Sequence, residues 1–143
     1  MTAKEFMNRA YVQSKRVQYK SEQLIQLKAM TQRVTVALDS EYVSHTRNVH
    51  ALEDAVIQIM EAAEQLQKEN QILMDIRKEI GSVIDSMGNI TLQTLLSSRY
   101  LCFKSWEDIA MEMNRTLRWV QNRHKQALHE FDQIVKNNFP NFA

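Results

Sequence analysis

Apolar and small residues first recur along the chain at Phe6, Ala10, Val17, Leu24, Leu27, Val34 and Leu38. The spacing is heptad-like, with polar gaps at Gln13, Lys20 and Thr31, and it predicts a helix over about residues 3–38. A second series, Val49, Leu52, Val56, Ile59, Ala63, Leu66, Leu73, Ile80 and Met87, alternates steps of three and four over about five heptads. Asn70 fills one place in that seam, where a polar residue serves to fix register. Residues 39–48, rich in Ser, Thr and Asn, read as the loop between the two helices. Each helix would extend on the order of 55 Å at about 1.5 Å per residue. Their matched lengths predict a long antiparallel helical hairpin, coiled-coil-like, over residues 1–87.

Met87-Gly88-Asn89 is the strongest internal break, and Gly88 or Asn89 is expected to take the left-handed conformation that ends a helix. A second domain, residues 88–143, then begins with shorter elements. Residues 91–101 form one helix with Leu92, Leu95, Leu96 and Tyr100 on its apolar face. Ser105-Trp106-Glu107-Asp108 is capping-box-like, with a shorter acid than the usual Glu. It opens a helix over 106–113 that packs through Trp106, Ile109, Ala110 and Met113. Asn114 is a suitable left-handed turn residue. Thr116 caps a third helix from Leu117 to about Val135. Two short helices joined by a three- or four-residue turn make a helix-turn-helix, and the small Ala110 suits the close crossing of the pair.

Composition sharpens this all-α reading. Gly occurs twice and Pro once in 143 residues, so helix breakers are nearly absent. No apolar run approaches the roughly 20 residues that cross a bilayer, and Lys4, Glu5 and Arg9 leave no room for a signal-peptide apolar region. The single cysteine, Cys102, excludes an internal disulfide and a multi-cysteine zinc site. A cytoplasmic protein with no membrane association is the expectation.

The net charge of +1 conceals segregation. Residues 1–38 carry seven Lys/Arg against two acids, residues 49–90 three against eight, and residues 91–131 six against four. A basic helix beside an acidic one gains interhelical contacts; the alternative is that both charge sets only solvate outer faces. Ile57, Met60, Ile72, Met74, Ile76 and Ile84 fall off the main seam and call for a second surface, either another subunit or the C-terminal domain, and a homo-oligomer, simplest as a dimer, is expected.

The last helix carries the chemistry that points to function. Val120, Ala127, Leu128 and Phe131 are spaced to pack inward, while Arg118, Gln121, Asn122 and Lys125 point elsewhere. Arg115 sits in the preceding turn, and no acid occurs from Arg115 to His129. Arg and Lys neutralise phosphates, Arg pairs with guanine edges, and Gln and Asn pair with adenine edges. Arg115, Thr116, Arg118, Gln121, Asn122 and Lys125 are therefore the candidate contacts to double-stranded DNA. The bland alternative is a basic, solvated face on a structural three-helix unit.

Residues 91–131 resemble region four of sigma-70 factors through the pattern Leu95-Leu96…Arg99-Tyr100…Ser105-Trp106-Glu107-Asp108-Ile109-Ala110…Val120…Ala127-Leu128. The whole span from Phe6 to Phe131 resembles an uncharacterised phage and prophage family of Gram-positive bacteria. Arg47-Asn48-Val49-His50…Leu52-Glu53-Asp54-Ala55 and Arg99-Tyr100-Leu101-Cys102-Phe103-Lys104-Ser105-Trp106-Glu107-Asp108-Ile109-Ala110 carry that match. Related phage proteins of the ArpU and RinA type are regarded as late-gene transcription regulators. The resemblance implies a DNA-binding regulator, and contact with RNA polymerase is a role that region four could pass on. Nothing in the chain corresponds to the sigma segment that binds the polymerase clamp, so a complete sigma factor is not expected. Arg115, Leu117 and Arg123 depart from the family's commoner residues.

Other chemistries find little support. His124 and His129 are five apart and diverge on a helix, and His45 and His50 lie in or near the expected loop. His124 is expected to be structural or to touch phosphate. Cys102, between Leu101 and Phe103, reads as a small buried hydrophobe without a base to activate it. Glu53-Asp54 and Glu107-Asp108 diverge on their helices, and no Gly-rich phosphate loop exists. The chain is not expected to be an enzyme, or to use a cofactor or metal. Two functions compete with a transcription regulator: a DNA-packaging recognition subunit, and a protein-interaction module acting through the hairpin.

Overall fold

The computed structural model describes the backbone of residues 1–40 and 45–138 and the side chains of 1–33 and 49–138. It is all-helical, with no strand among the described residues. The helices are α1 (Ala3–Ser40), α2 (His45–Asp85), α3 (Ile90–Leu96), α4 (Trp106–Glu112) and α5 (Leu117–Asn138). α3 runs on into a π-helical turn, Ser97–Leu101. The loop expected over 39–48 is shorter than its composition suggests. α1 continues through Ser40 and α2 already starts at His45, because no Gly or Pro stands in that stretch to stop either helix. The expected loop positions 41–44 lie outside the described residues.

The chain forms two compact units, one of Ser14–Ile72 and one of Met1–Gln13 with Leu73–Ala143. In the first, α1 and α2 run antiparallel, with Arg16 Nε 2.8 Å from Glu69 Oε1 and Lys20 Nζ donating to Gln65 Oε1 at 3.3 Å. Their contact line on α2 is Leu52, Ala55, Ile59, Ala62, Leu66 and Glu69, all half-buried in steps of three and four. That corrects half of the seam. Leu52, Ile59 and Leu66 belong to it, but Val49, Val56, Ala63 and Asn70 are exposed. Both phases share the positions 52, 59 and 66, and the alternate rung falls three residues after them rather than three before. Small Ala55 and Ala62 and charged Glu69 hide that rung in the sequence. Glu69 is tolerated there because the Arg16 guanidinium meets its carboxylate, leaving that side chain only 14% exposed. On α1 the apparent gaps belong to the seam as well. Lys20 and Thr31 are half-buried alongside Val17, Leu24 and Leu27, and the Thr31 hydroxyl donates to the Leu27 carbonyl at 2.9 Å.

In the other unit, one apolar core draws on all five helices. Phe6, Met7 and Ala10 come from α1, and Ile80, Val83 and Ile84 from α2. Ile84, expected off the seam, is buried here, and Ile76 packs against the same core. Leu92, Leu95, Leu96, Tyr100, Ile109, Ala110, Val120, Ala127, Phe131 and Val135 join it, with Ala3 and Met87. The Phe6 and Phe131 rings sit 5.8 Å apart at a tilt of 54°, and Arg9 reaches Glu79 at 3.4 Å. The break at residues 87–89 ends α2 without separating two cores, since Met87 and Leu92 are buried together. Neither Gly88 nor Asn89 adopts positive φ there. Asn89 instead caps the N-terminus of α3, its side-chain oxygen accepting from the Leu92 amide at 3.2 Å. An extended Asn can satisfy an orphan amide of the helix that follows, which favours it over the left-handed role.

Candidate nucleic-acid interface

Three polar residues set the start of α4, its end and the start of α5. Ser105 starts α4, its hydroxyl accepting from the Asp108 amide at 3.1 Å. Asn114 ends it with φ of 53°, while the Arg115 amide donates to the Ala110 carbonyl at 3.0 Å and the Asn114 amide to Met111 at 3.2 Å. These two bonds make a Schellman motif with Asn in the left-handed place, so the orphan carbonyls of α4 are met. Thr116 then opens α5, its hydroxyl accepting from the Trp119 amide at 3.1 Å. The rotation of α5 about its axis is thereby tied to a covalently short, hydrogen-bonded corner.

α5 divides cleanly. Val120, His124, Ala127, Phe131 and Val135 are buried, with Leu128 packed beside them. Arg115, Thr116, Arg118, Gln121, Asn122 and Lys125 are all exposed. Steps of three and four from Arg118 place Gln121, Asn122 and Lys125 on one face of the first turns. Arg115 lies at the near end of that face, before the helix starts. The nearest upstream acid, Glu112, is engaged by Lys104 Nζ at 2.8 Å, and that bond raises the Lys104 pKa.

Sequence reasoning overlooked Trp119 and noted Arg123 only as a departure from the family's commoner residues. The Arg115 guanidinium carbon lies 4.9 Å from the Trp119 ring centroid and that of Arg123 5.5 Å. Position 123 is one helical turn after 119, so the Trp119–Arg123 contact was legible in the spacing, whereas Arg115 precedes α5 and its contact was not.

Behind this face the α3 extension supplies a buried polar pair. Leu92, Leu96 and Tyr100 step by four, which overshoots 3.6 residues per turn, and the π turn with its Cys102 amide to Ser97 carbonyl bond at 3.0 Å absorbs the excess. Tyr100 is thus turned inward, where its hydroxyl lies 2.6 Å from His124 Nε2. The Trp106 ring stands edge-on to the imidazole at a centroid distance of 4.4 Å. Burial pulls the His124 pKa down to about 4, helped by Lys4 and Arg99, and pushes Tyr100 up to about 12. His124 is a core residue and does not face phosphate. Cys102 corrects the other way: it is exposed, because two residues beyond Tyr100 is roughly half of the wide π turn. Phe103 next to it takes φ of 56° and packs edge-on against Tyr11 at 5.6 Å.

His129 is exposed, and among the described residues no three His, Cys, Asp or Glu side chains gather as a metal site. No described helix is long and apolar enough to cross a membrane. Comparison with family models, curated proteins and solved structures found no match.

Proposed function

We propose that the protein is a sequence-specific double-stranded DNA-binding transcription regulator of phage or prophage type, acting in the bacterial cytoplasm. In this reading α4, the 113–116 turn and α5 form a sigma region-four-like helix-turn-helix, and α5 enters the major groove. The observation that carries it is the sorting of α5: every polar residue singled out for DNA contact is exposed on an acid-free face, opposite a fully buried one. Recognition helices read base edges through their N-terminal turns, and here Thr116 fixes where those turns begin. The test is selection of genomic fragments with the purified full chain, followed by titration of recovered and scrambled duplexes. Recovery of no enriched site, with no duplex affinity at low salt, overturns the reading.

α1 and α2 serve as a helical hairpin for self-association. Val49, Val56 and Met60 are 47%, 43% and 66% exposed on α2 in the unit Ser14–Ile72, and Ala63 extends the same stripe. A second copy of the chain is the proposed cover, giving a dimer that presents two reading helices to paired half-sites. The same stripe favours one rival, a DNA-packaging recognition subunit, which would close a ring of many copies rather than a dimer. Contact with RNA polymerase belongs to the proposal as a second role of the C-terminal helices.

A further inference from the structure

We propose that Trp119 is a positioning residue that holds Arg115 and Arg123 as a clamp for DNA backbone phosphates along one flank of the α5 reading face. The proposal rests on the DNA-binding reading and adds to it two residues, Trp119 and Arg123, and a division of labour.

Arg115 and Arg123 lie on either side of one indole along the helix, both within the roughly 6 Å at which a guanidinium is attracted to an aromatic face. Stacking engages the flat face of a guanidinium and leaves its N–H edge in the plane free to donate, the edge that meets phosphate oxygens in paired bonds. A long arginine side chain otherwise loses rotamer freedom when it is fixed on a ligand. The indole removes part of that freedom before DNA arrives. Trp119 itself is held, being half-buried and packed against the core, so the platform does not move with its riders. Arg123 is steadied further by donating from Nη1 to Gln126 Oε1 at 2.8 Å, which uses only one of its five N–H groups. Among the described residues no carboxylate stands within ion-pair distance of either guanidinium, and both are exposed. Two uncompensated, pre-oriented cations beside an acid-free reading face match the regularly spaced anions of a duplex backbone.

Shielding of the indole from water is the competing account, and it demands nothing of DNA. The discriminating experiment measures affinity of the full-length protein for a mixed-sequence duplex across a salt series. The variants are Arg123→Ala, Arg123→Lys, Trp119→Leu and Trp119→Phe, with Lys125→Ala as a reference on the reading face. Arg123→Ala should weaken binding to all sequences alike and reduce the log-affinity against log-salt slope by about 0.9, the value for one phosphate contact. Arg123→Lys keeps the charge but stacks poorly, so it should recover the slope and only part of the affinity. Trp119→Leu should weaken binding several-fold without changing the slope and should shrink the affinity cost of a second Arg123→Ala change, while Trp119→Phe retains most of the affinity. If Arg123→Ala leaves the slope unchanged while Lys125→Ala lowers it, the clamp is wrong and the DNA reading stands. Wild-type affinity equal to that of Arg123→Lys also overturns the clamp. If the wild-type protein binds no duplex at any salt, the reading and the clamp fall together. Arg123 is exposed, so its variants decide the matter even if Trp119→Leu fails to fold.

Discussion

The Tyr100 hydroxyl and His124 Nε2 lie 2.6 Å apart in the core, joining the π turn after α3 to the middle of α5. A neutral imidazole fits this contact, because it keeps one nitrogen able to accept and the other able to donate. Protonation there must place a cation in a buried site already flanked by the positive Lys4 and Arg99. The folded protein therefore holds His124 neutral down to about pH 4, whereas in the unfolded chain it takes up a proton near the ordinary value of 6.5. The contribution to stability is fully present above pH 6.5 and is lost as pH falls towards 4, since the unfolded state binds the proton first. His124→Gln offers Tyr100 a polar partner that does not titrate. Melting temperature should fall less between pH 7 and 4.5 in that variant than in the wild type. An equal fall in both would show that His124 is not held neutral.

Phe103 bears a local backbone strain. A bulky residue at φ of 56° is an outlier, and the left-handed region costs a non-glycine residue roughly 1–2 kcal/mol. Its ring contact with Tyr11 offsets that cost. Phe103→Ala loses the ring and keeps the strain, while Phe103→Gly loses the ring and relieves the strain. The Gly variant should be the more stable of the two by about 1 kcal/mol in urea unfolding, reversing the usual order in helical proteins. An Ala variant as stable as the Gly variant would contradict the strain.

Ala62 and Ala63 separate the corrected seam from its mirror phase. Ala62 is half-buried against α1 and Ala63 is exposed. Aspartate at position 62 meets apolar Leu66 and Ile59 neighbours and should cost about 1–3 kcal/mol. At position 63 the fold should change by no more than about 0.5 kcal/mol, as for most exposed sites. Circular dichroism melts of Ala62→Asp and Ala63→Asp at low protein concentration read this directly. Sedimentation of Ala63→Asp at micromolar concentration then tests the proposed dimer face, where a charge beside Val56 and Met60 should favour monomer. A wild-type protein that sediments as monomer removes the dimer.

Local chemistry made the corner of the C-terminal helices legible. Ser105, Asn114 and Thr116 each act through hydrogen bonds to a neighbouring amide or through a backbone preference, and these act within three or four residues. The inward face of α5 followed from spacing alone. What stayed hidden depended on partners distant in sequence. Glu69 reads as a surface charge until Arg16 stands opposite it, and Phe6 as the start of a seam until Phe131 meets it. The π turn escaped because its cause, the inward pull on Tyr100 by His124 and the core, is tertiary. Cys102 was misplaced for the same reason.

In the proposed DNA complex, α5 should divide its contacts between base edges and backbone. Arg118 and Gln121 stand in its first turn and a half, exposed and directly after the Thr116 cap. A groove-inserted helix brings those turns nearest the base edges, so these two side chains should read sequence. Arg118→Ala and Gln121→Ala should each cost about 1–3 kcal/mol on the selected site and relax preference at one base pair, with little loss on a scrambled duplex. Lys125 lies a turn further on, where in the proposed complex the helix would leave the groove floor for the backbone. Lys125→Ala should weaken selected and scrambled duplexes alike and lower the salt slope by about one. Titrating each variant against both duplexes at several salt concentrations resolves the two behaviours within one data set. Arg118→Ala and Gln121→Ala proteins that keep both affinity and preference would remove α5 as the reading head. Docking of the helix-turn-helix on protein would then be the better account, because the same exposed cations would be meeting an acidic partner surface instead of phosphates.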